Sequence, residues 1–461
     1  MKEDILPKRI IDLKGVESAQ NLLVLKEMQI SLHEPITTTI NDGYIILDFG
    51  KEMCGGVRIL TFLADSVTAR IRFGESVTEA CSEIGEKNST NDHSLRDFTV
   101  QLQNFSDMTF GNTGFRFVRI DVVGKAVIKS VSAINNILKR KAIYSYSGKD
   151  REIKEIFSVA KRTIDLCVSS GYVWDGVKRD RLVWVGDMHP EMLALTALYG
   201  RNEEIERSLD FARKTTPLTN WMDKMPTYTL WWLIIVADYY SKTKCEDFAK
   251  RQLDYYESTV DFVCDFVKEN GEMTYPSYFL DWPTAGTADV KEGVRAINIY
   301  ALTLAVKFLS SFGRNTEKAE KTLIRLKRVK IISAKKQVLG LKYFAVGLSE
   351  EEKAALLKGG AKGVSTFMSY YILKAIASFD KESAISIMKE FYGGMLSRGA
   401  TTFWEDFDVD NLNGSGRIDE FPKEGEKDIH GDYGAHCYLG FRHSLCHGWS
   451  AGVIKFIQEE C

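Results

Sequence analysis

The first 173 residues hold no tryptophan, although the chain carries eight. Other absences narrow the reading further. No basic run of five or six residues occurs and the formal net charge is −2, so nothing draws the chain toward nucleic acid or an anionic membrane. No stretch approaches the roughly 18 apolar residues that a membrane span needs, and the charged start MKEDILPKRI lacks a signal-type apolar core. A cytoplasmic protein is the expectation. The eight cysteines include no CxxC pair, which argues against a zinc ribbon and favours free thiols. There is no HExxH and no GxSxG, the signatures of a zincin and of a serine hydrolase elbow. Low-complexity tracts and repeats of 33–47 residues are also missing, against an open solenoid. No cofactor or metal is expected, and a homodimer is left open.

What is present divides the chain in two. Residues 44–50 are an apolar run stopped by Gly, while 56–62, 68–74 and 115–122 alternate apolar with other side chains; all are rich in β-branched and aromatic residues and bounded by Gly, Asn or Asp. That period of two marks half-buried antiparallel strands, and several of them in about 110 residues suggest a sandwich. The first 35 residues read as an arm or edge segment. Near residue 148 the period changes. Ile153, Ile156, Phe157, Ala160 and Ile164 mark one helical face. Further helices are expected over 188–199, 202–213, 226–242, 246–268, 291–312, 316–329, 350–358, 364–378, 381–396 and 446–458, with a short hairpin over 328–347. The fold class is therefore multidomain: an antiparallel β-sandwich over 1–145, then an all-α domain over 146–461 whose helix pairs form a ring with a mouth of loops. Lacking tryptophan as a stacking platform, the β part reads as support rather than a lectin.

The densest polar–aromatic cluster runs from Trp174 to His189 and joins two of these helices. It places Asp175, Asp180 and Asp187 with Arg179 and Arg181 between Trp174 and Trp184. Aromatic rings stack on sugar faces, and paired carboxyls perform the acid–base work of glycoside cleavage. The same composition also fits a buried salt-bridged loop pinning two helices, and spacing alone does not choose. A second cluster, Gly399 to Asp408, sets Glu405 beside Trp404; a packed helix terminus explains it as well. In a third, Arg442 to Ser450, His443 and His447 stand four apart and would share a helix face as metal ligands do, but the glutamate of a zincin is missing. Asn411–Ile418 imitates part of a calcium loop, yet its first position is Asn and its twelfth is Pro422.

These clusters carry a resemblance. Asp175-x-x-x-Arg179-Asp180 followed by Trp184-x-Gly186-Asp187 resembles the signature loop of glycoside hydrolase family 78, the bacterial α-L-rhamnosidases. Gly399-Ala400-Thr401-Thr402-x-Trp404-Glu405 and Ser444-x-Cys446-His447-Gly448-Trp449-Ser450 resemble its second and third signatures. Leu47-Asp48-Phe49-Gly50, Gly55–Ile59 and Gly114–Val118 are similar to its β region, while Tyr228–Trp232 and Phe279–Pro283 fall in the expected order. The resemblance spans about residues 40–461. It implies an (α/α)6 barrel and an inverting exo-glycosidase acting on terminal α-L-rhamnose or a related sugar in an oligosaccharide or glycoside. By that resemblance Asp180 is the general acid, where Glu is usual, and Glu405 the general base. Asp175 and Asp187 hold sugar hydroxyls, Arg179 and Trp184 line the pocket, Trp184 or Trp232 lies near the C6 methyl, and His447 lies close to the sugar. Trp282 and Trp404 are further candidates for sugar contact. A non-catalytic sugar-binding relative, and a lyase or phosphorylase on the same ring, are the alternatives.

Overall fold

The computed structural model describes residues 4–24, 27–64 and 67–461. Its N-terminal part is a six-stranded sheet with the path β2–β3–β6–β4–β5 and β1 on β6. These strands are β1 (Asp4–Ile5), β2 (Arg9–Glu17), β3 (Thr38–Leu63), β4 (Val67–Gly74), β5 (Asp97–Leu102) and β6 (Ser106–Asn135). Every pairing is antiparallel. The segments 44–50 and 56–62, expected as separate strands, are parts of the single 26-residue β3. Gly55, at φ +155°, and the register shifts around it let the strand bend without ending. The first half of β3 pairs with residues 117–128 of β6; its second half pairs with both 106–115 and 127–135. The sheet so turns back along its two long strands around one apolar core that includes Ile45, Leu47, Val57, Ile59, Phe115 and Val131. The first 35 residues supply the marginal strands β1 and β2. A short helix, α1 (Val77–Cys81), follows β4, capped by Ser76.

The C-terminal part holds twelve α-helices among the described residues. They are α2 (Arg151–Cys167), α3 (Met188–Tyr199), α4 (Glu203–Thr215), α5 (Pro226–Thr243), α6 (Glu246–Cys264), α7 (Asp289–Ser311), α8 (Glu317–Arg328), α9 (Lys336–Val346), α10 (Glu350–Leu357), α11 (Ser369–Ala377), α12 (Lys381–Ser397) and α13 (Val453–Glu460). Alternate helices touch in sequence, α3 on α5, then α7, α9, α11 and α13, and α13 touches α3 again. The pattern of side chains explains who sits inside. In α5 the run Thr227–Ala237 is buried on all sides, as a core helix requires, whereas α2, α4 and α8 have one apolar stripe and an exposed polar face. By length and hydropathy α7 would span a membrane, but 72% of its apolar window is buried in the protein.

Two expectations are corrected. Residues 328–347 form no hairpin: Val329, Ile331 and Ile332 lie in a loop and α9 begins at Lys336. Gly340 lets α9 approach α11 closely, since a Cβ there would stand 3.0 Å from the Ile372 nitrogen. The helix expected from residue 446 begins as a 3-10 turn at Gly448, so His443 and His447 lie in an extended loop and share no helix face.

The sheet docks on the loops at one end of the helical part. Arg116 Nη1 donates to Gly399 O at 3.0 Å, Thr401 Oγ1 accepts from Glu52 N at 2.9 Å, and Ser94 Oγ donates to Lys178 O at 2.8 Å. Three loops, 174–187, 399–406 and 441–447, meet there.

Candidate active site

Each loop is shaped by its own residues before it meets the others. Asp175 closes the first on itself: its N–H donates to Leu182 O at 3.1 Å and its Oδ1 accepts from Leu182 N at 2.9 Å. At the tip, Asp180 and Arg181 both take left-handed backbone, φ +53° and +58°. Gly186 is required by close packing, because a Cβ there would stand 2.2 Å from the Tyr228 ring. Tyr228 then donates to Asp187 Oδ1 at 3.1 Å. In the third loop a Cβ on Gly448 would meet Glu191 Oε1 at 2.0 Å. Hydrogen bonds join the loops: Gly448 N to Asp175 O at 2.7 Å, His447 N to Phe403 O at 3.1 Å, and Trp449 Nε1 to Glu405 O at 3.0 Å.

They enclose a pocket of about 230 Å³ lined by Asp175, Arg179, Asp180, Trp184, Asp187, Met225, Tyr228, Phe279, Trp282, Glu405, Arg442, His447 and Trp449. Arg179 spans the two acids of greatest interest. Its Nη1 lies 3.0 Å from Asp180 Oδ2 and its Nη2 lies 2.5 Å from Glu405 Oε1. Glu405 Oε2 accepts from Ser444 N at 2.9 Å. The Nε2 of His447 sits between three carboxyls, 3.8 Å from Glu405, 3.9 Å from Asp175 and 4.0 Å from Asp187.

Burial dominates the electrostatics. It pushes the Asp187 and Asp175 carboxyls well above the ordinary range, and their acidic neighbours add to the shift. Glu405 is raised by burial too, but Arg179 and the Ser444 N–H work against it. Burial, helped by Arg179, holds His447 well below the usual imidazole range, so its ring is neutral at pH 7. The raised shifts favour the protonated forms of Asp175 and Asp187, which can donate hydrogen bonds, whereas Arg179 favours the ionised form of Glu405.

Behind the pocket lies a buried charge cluster that the sequence reading missed. Lys178 is fully buried, with Nζ 2.6 Å from Glu79 Oε1 and 3.4 Å from Glu75 Oε2. It also donates to His443 O at 2.7 Å and to Phe441 O. Arg96 pairs with Glu79 at 2.7 Å. Glu75 accepts from Leu445 N at 2.6 Å and Ser444 Oγ at 3.2 Å. Through this cluster the β part grips the loop whose Ser444 holds Glu405. Glu75, Glu79 and His430 lie close enough to share a cation. The Lys178 ammonium, 3.5 Å from His430 Nε2, stands at that position instead.

Of the residues singled out in the sequence, Asp175, Arg179, Asp180, Trp184, Asp187, Trp282, Glu405 and His447 come together in the pocket. Trp232 and Trp404 do not line it. Trp232 packs on Tyr255 and Tyr256, and its Nε1 donates to Leu209 O at 3.3 Å. It stands six residues into α5, about 9 Å below the mouth at 1.5 Å per residue, whereas Tyr228 stands near the first turn. Trp404 is 2% exposed against Phe407, because neighbours in an extended segment point to opposite sides and Glu405 takes the pocket side. Met225 was not named in the sequence, and Tyr228, Phe279, Arg442 and Trp449 were named within motifs but not assigned to the pocket. Their signal was membership of those segments, and for Met225 its place just before the start of α5.

The chain shares its fold with solved α-L-rhamnosidases, one of them a rhamnosidase of glycoside hydrolase family 78. A rhamnosidase from Klebsiella oxytoca with rhamnose bound superposes with a TM-score of 0.74 over 100% of this chain and 96% of the other, at 16% identity. A family 78 rhamnosidase of Bacillus sp. GL1 gives 0.73 at 18% identity, over 95% of this chain and 48% of its own. An α-L-rhamnosidase of Streptomyces avermitilis complexed with L-rhamnose gives 0.66 at 14% identity, over 98% and 43%. The chain thus spans nearly all of the first and about half of the other two. No protein-family profile matches the sequence, and no curated protein matches it.

Proposed function

We propose that this chain is a cytoplasmic family 78 glycoside hydrolase that removes terminal α-L-rhamnose, or a closely related sugar, with inversion. On this reading the turned-back sheet is the β-sandwich and the ring of helices is the (α/α)6 barrel. The observation that carries the reading is Arg179, which binds Asp180 and Glu405 at once on the wall of a one-sugar pocket. One guanidinium thus brings to one pocket wall the pair of carboxyls that an inverting site needs, one to protonate the leaving oxygen and one to activate water. The volume of about 230 Å³ lies below the ~300–1,000 Å³ typical of drug-sized ligands and suits a single ring.

Asp180 stands at the rim with its side chain 20% exposed and gives its proton to the glycosidic oxygen as the C1–O bond breaks. Glu405, buried beneath, takes a proton from water as the water oxygen bonds to C1 from the opposite face. Asp175 and Asp187 donate to ring hydroxyls. Trp184, Tyr228, Phe279 and Trp282 form the apolar wall against which a 6-deoxy methyl packs.

The test is cleavage of p-nitrophenyl α-L-rhamnopyranoside by the purified protein beside Asp180→Asn and Glu405→Gln, with the first-formed anomer read by NMR. Turnover giving the β-anomer and lost in Glu405→Gln supports the reading. A folded protein inert on a panel of α-L-rhamnosides and related deoxy sugars would sink it. Rhamnose raising the melting temperature of an inert protein would point to a binding relative.

A further inference from the structure

We propose that His93, supplied by the β part, is a positioning residue for Asp180. The inference rests on the hydrolase reading above. His93 Nε2 lies 3.2 Å from Asp180 Oδ1, while Arg179 Nη1 engages Oδ2 at 3.0 Å. Each oxygen of this carboxyl is thus met by a different part of the chain. An aspartate has one rotatable bond fewer than a glutamate and a shorter reach, so the direction of its proton depends strongly on such neighbours.

The strap carrying His93, residues 91–95, is tied down at several points. Asn91 Oδ1 accepts from Arg96 N at 2.9 Å and Asp97 N at 3.1 Å. Asp92 is ion-paired with Arg442, which itself lines the pocket. Ser94 Oγ donates to Lys178 O at 2.8 Å, two residues from Asp180. The backbone is unusual on both sides of the contact. His93 is left-handed at φ +65°, as are Asp180 and Arg181. Residues with side chains seldom adopt that conformation, and it persists where surrounding contacts over-determine it, as at ligand clamps and active sites. The His93 side chain is 41% exposed against 20% for Asp180, so the contact lies toward solvent.

A leaving group that needs its proton will feel the loss of this contact, and one that departs as a stable anion will feel it far less. The experiment compares methyl α-L-rhamnopyranoside with 2,4-dinitrophenyl α-L-rhamnopyranoside in the full chain. His93→Ala lowers kcat/KM about 10- to 100-fold on the methyl glycoside and no more than about 3-fold on the dinitrophenyl one. His93→Gln, whose amide can still meet Oδ1, recovers most of the methyl-glycoside activity. Equal losses on both substrates, or no loss on the methyl glycoside, would overturn the proposal. A wild-type protein that cleaves neither substrate removes the hydrolase reading first and this inference with it. Because His93 is half-exposed, an unchanged melting temperature checks that each variant folds.

Discussion

Lys178 and Asp187 belong to the same loop, yet the two buried clusters they join are built on opposite principles. At the junction, Glu75 and Glu79 are countered by Lys178 and Arg96, all four nearly inaccessible. In the pocket, Asp175 and Asp187 accept one hydrogen bond each, from Leu182 N and Tyr228 OH, and have the neutral His447 at about 4 Å rather than a cation; Glu191 has both oxygens buried without a hydrogen-bond partner among the described residues. The electrostatic consequence differs accordingly. Burial lifts Glu75 to about 7 while Lys178 holds it down, whereas burial and neighbouring carboxyls lift Asp175 and Asp187 well above the ordinary range against single hydrogen bonds from Leu182 N and Tyr228. One cluster clamps two parts of the chain together. The other stores carboxyls in an unfavourable state that a polar ligand can use.

The comparison can be broken in order of expected effect. Glu405→Gln should cost about 10²- to 10⁴-fold in kcat, read by initial rates, while leaving the melting temperature near that of the parent. Lys178→Met should do the reverse in kind. It leaves Glu75 and Glu79 without their shared cation and should cost ~3–5 kcal/mol of stability in urea unfolding. A Lys178→Met protein as stable as the parent would show that the junction is not held by charge.

Asp187→Asn sharpens the contrast by raising stability. Its carboxyl is lifted in the folded state, so between the ordinary carboxylate range and that raised value the native protein binds a proton that the unfolded chain does not. Stability therefore falls as pH rises through that window and is fully kept below it. Removing the charge should stabilise on the order of 1 kcal/mol at pH 8 and less at pH 5, seen as a pH-dependent gain in melting temperature. A gain independent of pH would refute the cause. The smallest effect belongs to the apolar wall: Trp282→Ala, removing the ring that packs on Phe279, should weaken rhamnose binding by ~0.5–1.5 kcal/mol in calorimetry.

Much of this was legible in the residues. The change of period near residue 148 lies between the end of β6 at Asn135 and the start of α2 at Arg151, and the helix expected over 188–199 matches α3 to the residue. The acids Asp175, Asp180, Asp187 and Glu405 stood out because each shares a short segment with tryptophan and glycine. Depth was not legible. Tyr228 and Trp232 lie on one helix face, and nothing local says that the first reaches the mouth and the second ends in the core. The strand pattern showed 44–50 and 56–62 but not that Gly55 lets the chain bend through as one strand. The β-branched residues around 331 suggested a hairpin because propensity alone is weak evidence beside the packing of α9 on α11.

The sequence by itself determined the two-part architecture and the chemical types at the pocket, because periodicity and loop composition are local properties. The tertiary structure alone decided which groups meet. Arg179 and Glu405 are separated by 226 residues, His93 and Asp180 by 87, and Lys178 and Glu79 by 99, and they touch because the ring of helices closes and the sheet docks on its loops. Burial follows from that closure, and with it the displaced carboxyl and imidazole equilibria, since desolvation is a property of the assembled neighbourhood and of no residue alone.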